Sequence, residues 1–241
     1  MEGQLNINSI RNKFDSLNGI LKNNIDVLLL SETKIDSSFP KAQFEIDGFT
    51  VYRRDRNEDG GGLLLYVRDD IPSDLLSADS SIKGMCVELN IRKKKWLIHC
   101  IYNPHKNFIS SLLNEMGKNI DKYSSNYDNF ILLGDFNCEP SEQPLEDFCH
   151  IFSCRNLIKE KTCFKNPQNP SCIDLILTNR SKSFQDSMVI ETGLSDFHKM
   201  SLTVMKVFYK KQKPNIITYR SYKHFDNEAF LTDIQNHLSE E

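Results

Sequence analysis

Phe130-Ile131-Leu132-Leu133-Gly134-Asp135-Phe136-Asn137 is the stretch that sets the fold class. Four apolar residues in a row fit a strand buried on both faces. Gly134 permits a close backbone approach. Asp135 and Asn137, two apart at the strand end, point to the same side. Asp, Asn and Gly are also common in strand-terminating turns, so the stretch alone reads either way. The pattern recurs upstream. Val27–Leu30 is a second continuous apolar strand, and Ser31-Glu32-Thr33 follows it. A carboxylate placed there must reach solvent or meet a cation or donor.

Working outward, Gln4–Ile7 reads as a short strand. A helix is expected from Ser9 as N-cap, with Ile10, Phe14, Leu17, Ile20 and Leu21 at helical spacing. Phe49–Arg53 and Leu63–Val67 read as strands flanking the Gly60-Gly61-Gly62 turn, and Met85–Ile91 with Lys95–Tyr102 as a hairpin. Phe108–Ile120 is helical, a further helix starts near Pro144, and Ile173–Leu177, Ser187–Ile190 and Ser201–Phe208 complete the strands. Many strands, few helices and no strict βαβ alternation imply a four-layered α/β sandwich: two mixed β-sheets packed face to face with helices outside. The globular domain is expected to span residues 1–209. Residues 210–241 read as a basic linker and a weak helical tail, Asn227–Leu238, leading towards something beyond this chain.

Composition narrows the class. The chain has 241 residues, 39% hydrophobic and 26% charged, which suits one large globular domain or two small ones. The net charge of -3 does not advertise a polyanion partner. Its distribution says more: His198–His224 holds seven Lys/Arg and no Asp or Glu, and Arg92–Lys95 and Arg53-Arg54 are smaller clusters. Such runs are solvated faces unless they lie beside a phosphodiester site, where they become phosphate contacts. Seven cysteines with no Cys-x-x-Cys pair argue against a disulfide framework or a structural zinc site. No transmembrane run and no secretory signal are visible, so an intracellular protein is expected.

Several further polar residues sit where strands meet loops. Asn6 follows Leu5 in the first strand, and Tyr102 ends the strand that begins at Lys95. A capping role and a core tyrosine with a wet hydroxyl are their plainer readings. Asp174 lies inside the apolar strand Ile173–Leu177, where burial is costly unless it is paired. His198, in the polar loop Ser195-Asp196-Phe197-His198, is a natural partner, although alone it reads as a surface histidine. His99 and His105 have weaker cases.

Taken together, these boxes resemble the endonuclease/exonuclease/phosphatase superfamily over nearly all of residues 4–208. Leu30-Ser31-Glu32-Thr33-Lys34 resembles its Q-E-T-K box and Gly134-Asp135-Phe136-Asn137 its G-D-x-N box. Ile173-Asp174 resembles its internal strand Asp, and Ser195-Asp196-Phe197-His198 its terminal S-D-H box. Within the superfamily the chain is most similar to the apurinic-type endonuclease domain of non-LTR (LINE-type) retrotransposons. Leu5–Lys13, Gly60–Arg68 and Thr192–Lys199 carry that likeness.

The resemblance implies a metal-dependent phosphodiester hydrolase that nicks DNA and leaves a 3′-hydroxyl for a reverse transcriptase in the full element. It implies Asp135 as the base, with Asn137 and Asn6 fixing its surroundings. Glu32 would hold Mg²⁺, with Mn²⁺ able to substitute, and Asp196 would be a secondary metal contact. His198, kept protonated by Asp174, and Tyr102 would act at the phosphate. Arg68, Arg180 and Lys199 are the expected DNA contacts. A monomer acting away from membranes is expected. Two departures stand out. Phe197 separates Asp196 from His198, so either a bulge restores the His198 position or the site is weakened. Only five residues precede Asn6, fewer than such domains usually carry, so the chain is expected to be a fragment. A repair-type abasic endonuclease, an inositol-phosphate or sphingomyelin phosphodiesterase, and a catalytically impaired DNA-binding remnant stay open at this stage.

Overall fold

A computed structural model describes residues 1–22, 25–56, 60–76, 84–91, 93–206 and 225–238. The chain divides into two units, Met1–Tyr209 and Lys210–Glu241. In the second unit α4 (Asn227–Leu238) is a solvated helix with Phe225 and Phe230 in ring contact. Most of the expected basic linker falls outside the described residues, as does Arg92. Of the seven cations after His198, only Lys199 and Lys206 lie within them.

The first unit holds two six-stranded mixed sheets. The strands of the first, in spatial order, are β11 (Phe184–Ile190), β12 (Met200–Met205), β1 (Glu2–Asn6), β2 (Val27–Ser31), β4 (Leu63–Arg68) and β3 (Phe49–Arg54). Those of the second are β5 (Ser73–Leu76), β6 (Gly84–Ile91), β7 (Lys94–Tyr102), β8 (Asn129–Asp135), β10 (Asp174–Thr178) and β9 (Arg155–Asn156). One pair in each sheet is parallel, β1 with β2 and β7 with β8. Parallel central strands are buried on both faces, which is why they read as unbroken apolar runs.

Residue alternation sorts these strands into layers. Val27 and Leu29 of β2 join Leu63, Leu65 and Val67 of β4 in the core shared with the second sheet. Leu28 and Leu30, with Leu64 and Tyr66, turn outward to meet Leu17 and Leu21 of α1 (Phe14–Leu21). On the other side, Leu112, Leu113, Met116 and Ile120 of α2 (Ile109–Tyr123) and Leu145 and Phe148 of α3 (Gln143–Ile151) belong to the core of the second sheet. Helix, sheet, sheet and helix make the four layers of the sandwich.

Two local expectations are corrected. The first helix begins at Phe14, not after a Ser9 cap. Ser9 has φ +81°, and its N–H donates to the Glu32 carbonyl, while Ile10 N–H donates to Thr33. Residues 7–10 therefore run alongside 31–33 instead of entering a helix. The last strand closes at Met205 rather than Phe208, which lies outside the described residues.

Candidate active site

Strand register brings the expected polar residues to one edge of the sandwich. Parallel pairing sets Asn6 opposite Ser31, beside Glu32, and Tyr102 opposite Asp135. Antiparallel pairing sets Asp174 opposite Asp135 and Gln4 opposite Ser201, three residues after His198. The loops that follow are held in unusual backbone shapes. Asn8, Ser9, Glu32, Lys34 and Asn137 all have positive φ, the kind of strain that collects where a structure must aim side chains. Gly134 (φ +146°) lies so close to β7 that a Cβ would stand 1.9 Å from the Ile101 carbonyl oxygen.

Asp135 is the hub and is 1% exposed. Its Oδ2 accepts from Asn6 Nδ2 at 2.9 Å, and its Oδ1 from the backbone N–H of Asn137 at 2.9 Å. Burial, and then the nearby Asp174 charge, push its carboxyl up to about 7, against the opposing pull of His198. The same Asn6 amide donates to Glu32 Oε1 at 3.0 Å, which also accepts from the Tyr102 hydroxyl at 3.1 Å. Burial, and then the Glu32 charge, raise the Tyr102 hydroxyl well above its usual range. Asn137 Nδ2 is anchored on the Asn103 carbonyl at 2.8 Å.

Beside Asp135 lies a buried dyad. His198 Nδ1 donates to Asp174 Oδ2 at 2.8 Å, the two side chains being 6% and 0% exposed. Burial alone would lower the imidazole. The hydrogen bonds and charges of Asp174 and Cys163 together outweigh it and carry His198 up to about 10, so the ring keeps its proton at neutral pH. Thr162 Oγ1 donates to the same Asp174 oxygen at 2.8 Å and accepts from the N–H groups of Ile173 and Asp174. His198 Nε2 faces Cys163 Sγ at 3.6 Å. Burial raises that thiol, but the hydrogen bond and charge of His198 and the Lys165 backbone together outweigh it and hold Cys163 below its ordinary value.

The sequence profile of the Endonuclease/Exonuclease/phosphatase family matches residues 3–196, most of the first unit. The chain belongs to that family. Its members are hydrolytic nucleases and phosphatases. Among solved structures, the endonuclease domain of TRAS1, a telomere-specific non-LTR retrotransposon, is 13% identical at a TM-score of 0.67, with 86% of this chain and 99% of that one covered. An AP endonuclease from Archaeoglobus fulgidus is 17% identical at 0.62, covering 86% and 100%. The 3′ phosphatase NExo from Neisseria, bound to product DNA hairpin, is 16% identical at 0.62, covering 85% and 99%. At these identities the likeness is one of fold. No curated protein matches the sequence.

The endonuclease/exonuclease/phosphatase site of this chain has the donors for a hard divalent cation. Glu32 and Asp135 present oxygens on either side of the Asn6 amide, and Asp174 Oδ1 is buried with no hydrogen-bond partner among the described residues. Asp135 and Asp174 gather around one imidazole, and Glu32, joined to Asp135 through Asn6, has only Lys34 at 3.9 Å beside it, so a cation would relieve the negative charge that remains. Ligand atoms of Asp135, Asp174 and His198 also come within 4.8 Å of one another. A His198 ring that keeps its proton is a poor ligand, so the Glu32 side is the better seat. Asp196 is exposed and accepts from Asn8 Nδ2 at 3.1 Å. It reaches Glu32 only through Asn8 and Lys34, whose Nζ donates to Asn8 Oδ1 at 2.6 Å and stands 3.9 Å from Glu32.

The expected DNA contacts are not all brought here. Lys199 is, with its ammonium 4.4 Å from the Phe164 ring centroid and 3.7 Å from Glu191. Arg68 ends β4 at the edge away from Glu32, since Leu63 is the residue opposite Ser31, and it pairs with Asp26 and Asp70. Arg180 follows the end of β10 remote from Asp174. Strand direction thus carries both away from the edge that holds Asp135 and Glu32. Thr162 and Cys163, which lie in an irregular loop, and Asn103 carried no site role on sequence alone. Asn103 follows Tyr102 directly, and that adjacency was the available signal. A pocket of about 350 Å³ beside Tyr102, with Arg54, Arg56 and Phe108 in its wall, adds cationic and aromatic surface next to the site.

Proposed function

We propose that this chain is a divalent-cation-dependent DNA endonuclease, using Mg²⁺ with Mn²⁺ able to substitute. In this reading it nicks one strand and leaves a 3′-hydroxyl for the reverse transcriptase of a non-LTR element. The observation that carries the proposal is a buried carboxyl near pKa 7 beside a buried, protonated histidine, which is held by Asp174, the residue opposite Asp135 in the sheet. Such a pair is suited to general base and electrostatic work on a phosphodiester at neutral pH. DNA as substrate is supported by the DNA-acting names of the structural neighbours and by the cations around Tyr102 and His198.

Asp135 takes the proton of the attacking water, with Asn6 and the Asn137 N–H fixing both of its oxygens. His198 Nε2–H turns from the weak acceptor Cys163 Sγ to a non-bridging phosphate oxygen, where charge builds up in the transition state. Tyr102, which keeps its proton, assists at the leaving 3′-oxygen. Glu32, with Asn6 beside it, would hold the cation, and a bound cation supplies charge neutralisation at the phosphate. Residues 1–209 carry this activity, and residues 210–241 are a separable tail.

The test is nicking of supercoiled plasmid with Mg²⁺ against EDTA, beside an abasic oligonucleotide and a soluble inositol phosphate. Mg²⁺-dependent open circles whose ends a polymerase extends are expected. Cleavage confined to the abasic site, or to the inositol phosphate, would replace the proposal. DNA binding without any cleavage would reduce the chain to a binding remnant.

A further inference from the structure

At the edge of the second sheet remote from Asp135, the turn between β6 and β7, the start of β8, β9 and the segment after β10 enclose a cleft of about 710 Å³. Six cations line it, Lys93, Lys94, Lys95, Arg155, Arg180 and Lys182, against one carboxylate, Asp128. They come from three separate segments of the chain and are all exposed. Lys95 is committed to Glu88 at 3.2 Å, and Arg180 Nε donates to the neutral Asn129 side chain at 2.8 Å. Lys93, Lys94, Arg155 and Lys182 have no ion-pair partner among the described residues. The rest of the wall is mostly Ser and Asn, and the one aromatic residue in it, Trp96, is buried.

Register fixes where this cleft stands. Trp96 pairs with Asn129 at one end of β7–β8 and Tyr102 with Asp135 at the other. Six residues at about 3.3 Å each put the two ends roughly 20 Å apart. A straight duplex lying across the catalytic edge does not also lie in the cleft.

The geometry points to the cleft as a second nucleic-acid site, one that holds the sugar–phosphate backbone of a segment other than the one being cut. Unpaired cations spread around a cleft suit a run of phosphates rather than one compact anion, which needs converging donors. Hydroxyl and amide groups between them suit phosphate and sugar oxygens, and the lack of an exposed aromatic wall predicts binding without base readout. The inference rests on the proposed endonuclease only in taking the Asp135 edge as the place of cutting; strand binding is read apart from nicking.

The test uses the full chain and its triple variant Lys94→Ala/Arg155→Ala/Lys182→Ala, with equal melting temperatures as the check on folding. Binding of a labelled single-stranded oligonucleotide is measured against salt, without Mg²⁺ and with a short unlabelled duplex filling the catalytic edge. Loss of three contacts should flatten the log–log slope by about 2, at about 0.7 per contact for a single strand. Nicking of the short duplex should stay within twofold of wild type. An unchanged slope would overturn the inference. So would a parallel loss of duplex nicking, because the cleft would then serve the catalytic edge. Displacement of the strand by polyglutamate at equal charge would assign the cleft to acidic protein segments instead.

Discussion

Replacing His198 by alanine removes a buried imidazolium from the cleavage edge, and the structure bounds what that should cost. The ring is buried, donates to Asp174 at 2.8 Å, and holds its proton to about 10. In wild type nearly every molecule therefore carries a ready N–H donor at neutral pH. Removing one such donor from a transition-state oxyanion typically costs about 10²–10³ in rate, roughly 3–4 kcal/mol. Asp174→Asn should fall in the same range by a different route. It takes away the charge that keeps the ring protonated, while burial, which lowers the ring, remains. Because Asp174 acts through His198, the double variant should lose little more than either single one, not the roughly 10⁴–10⁶ of independent losses. Single-turnover nicking of supercoiled plasmid measures all three, and DNA affinity should change little. Wild-type nicking by His198→Ala would refute the assignment. A multiplicative double variant would refute the dyad even if both residues matter.

Asp135→Asn and Glu32→Gln should each lower nicking by about 10²–10⁴, and a variant that keeps more than a tenth of the wild-type rate would displace that residue from the site. The pH profile of kcat/KM should rise through about 7, as Asp135 loses its proton, and fall towards 10, as His198 loses its own. A profile flat from pH 6 to 8 would contradict the role of Asp135. Gly134→Ala places a Cβ 1.9 Å from a backbone oxygen at φ +146° and should cost at least about 2 kcal/mol, seen as a melting temperature lower by roughly 4–8 °C. An unchanged melt would mean that β7 and β8 can separate at that point.

The buried centre of the fold was legible because its strands break no rule. β2 and β8 are unbroken apolar runs ending in acids, and a run of that kind has few other uses. β5 and β9 were not legible: they lie at the edges of their sheet, span four and two residues, and are largely polar. The false helix start at Ser9 has a definite cause. Ile10 is buried like the true helix residues Leu17 and Leu21, so the apolar spacing runs on past the first turn. Only the backbone bonds from residues 7–10 to residues 31–33, with Asn8 and Ser9 at positive φ, show that the chain has not yet entered the helix there. For the site, residue type at a strand end was readable, whereas strand direction was not. That is why Asp135 and Glu32 fall together while Arg68 and Arg180 go to the other edge. Thr162 has no pattern to betray it; its role exists only through Asp174, twelve positions on.

Phe197 offers the sharpest separation between what the sequence suggested and what the fold does. Adjacency of Asp196 and His198 would matter if Asp196 positioned the ring. Here the position comes from pairing. Phe164 N–H donates to the Phe197 carbonyl, Lys199 N–H donates to Thr162, and Cys163 and His198 form an antiparallel bridge. Residues 197–199 thus run extended beside 162–164, with Phe197 pointing out at 43% exposure, His198 in at 6%, and Met200 in at 0%. In an extended segment the side-chain period is two, so deleting one residue exchanges the faces. Deleting Phe197 should therefore turn His198 away from Asp174 or force the pairing to slip, and nicking should fall at least as far as in His198→Ala, by about 10² or more. Phe197→Ala keeps the register and removes only an exposed ring, so it should nick at close to the wild-type rate. The two variants together separate spacing from side chain. A deletion variant that nicks faster than wild type would mean that the inserted residue cripples the site, and that the 162–164 pairing does not set the histidine.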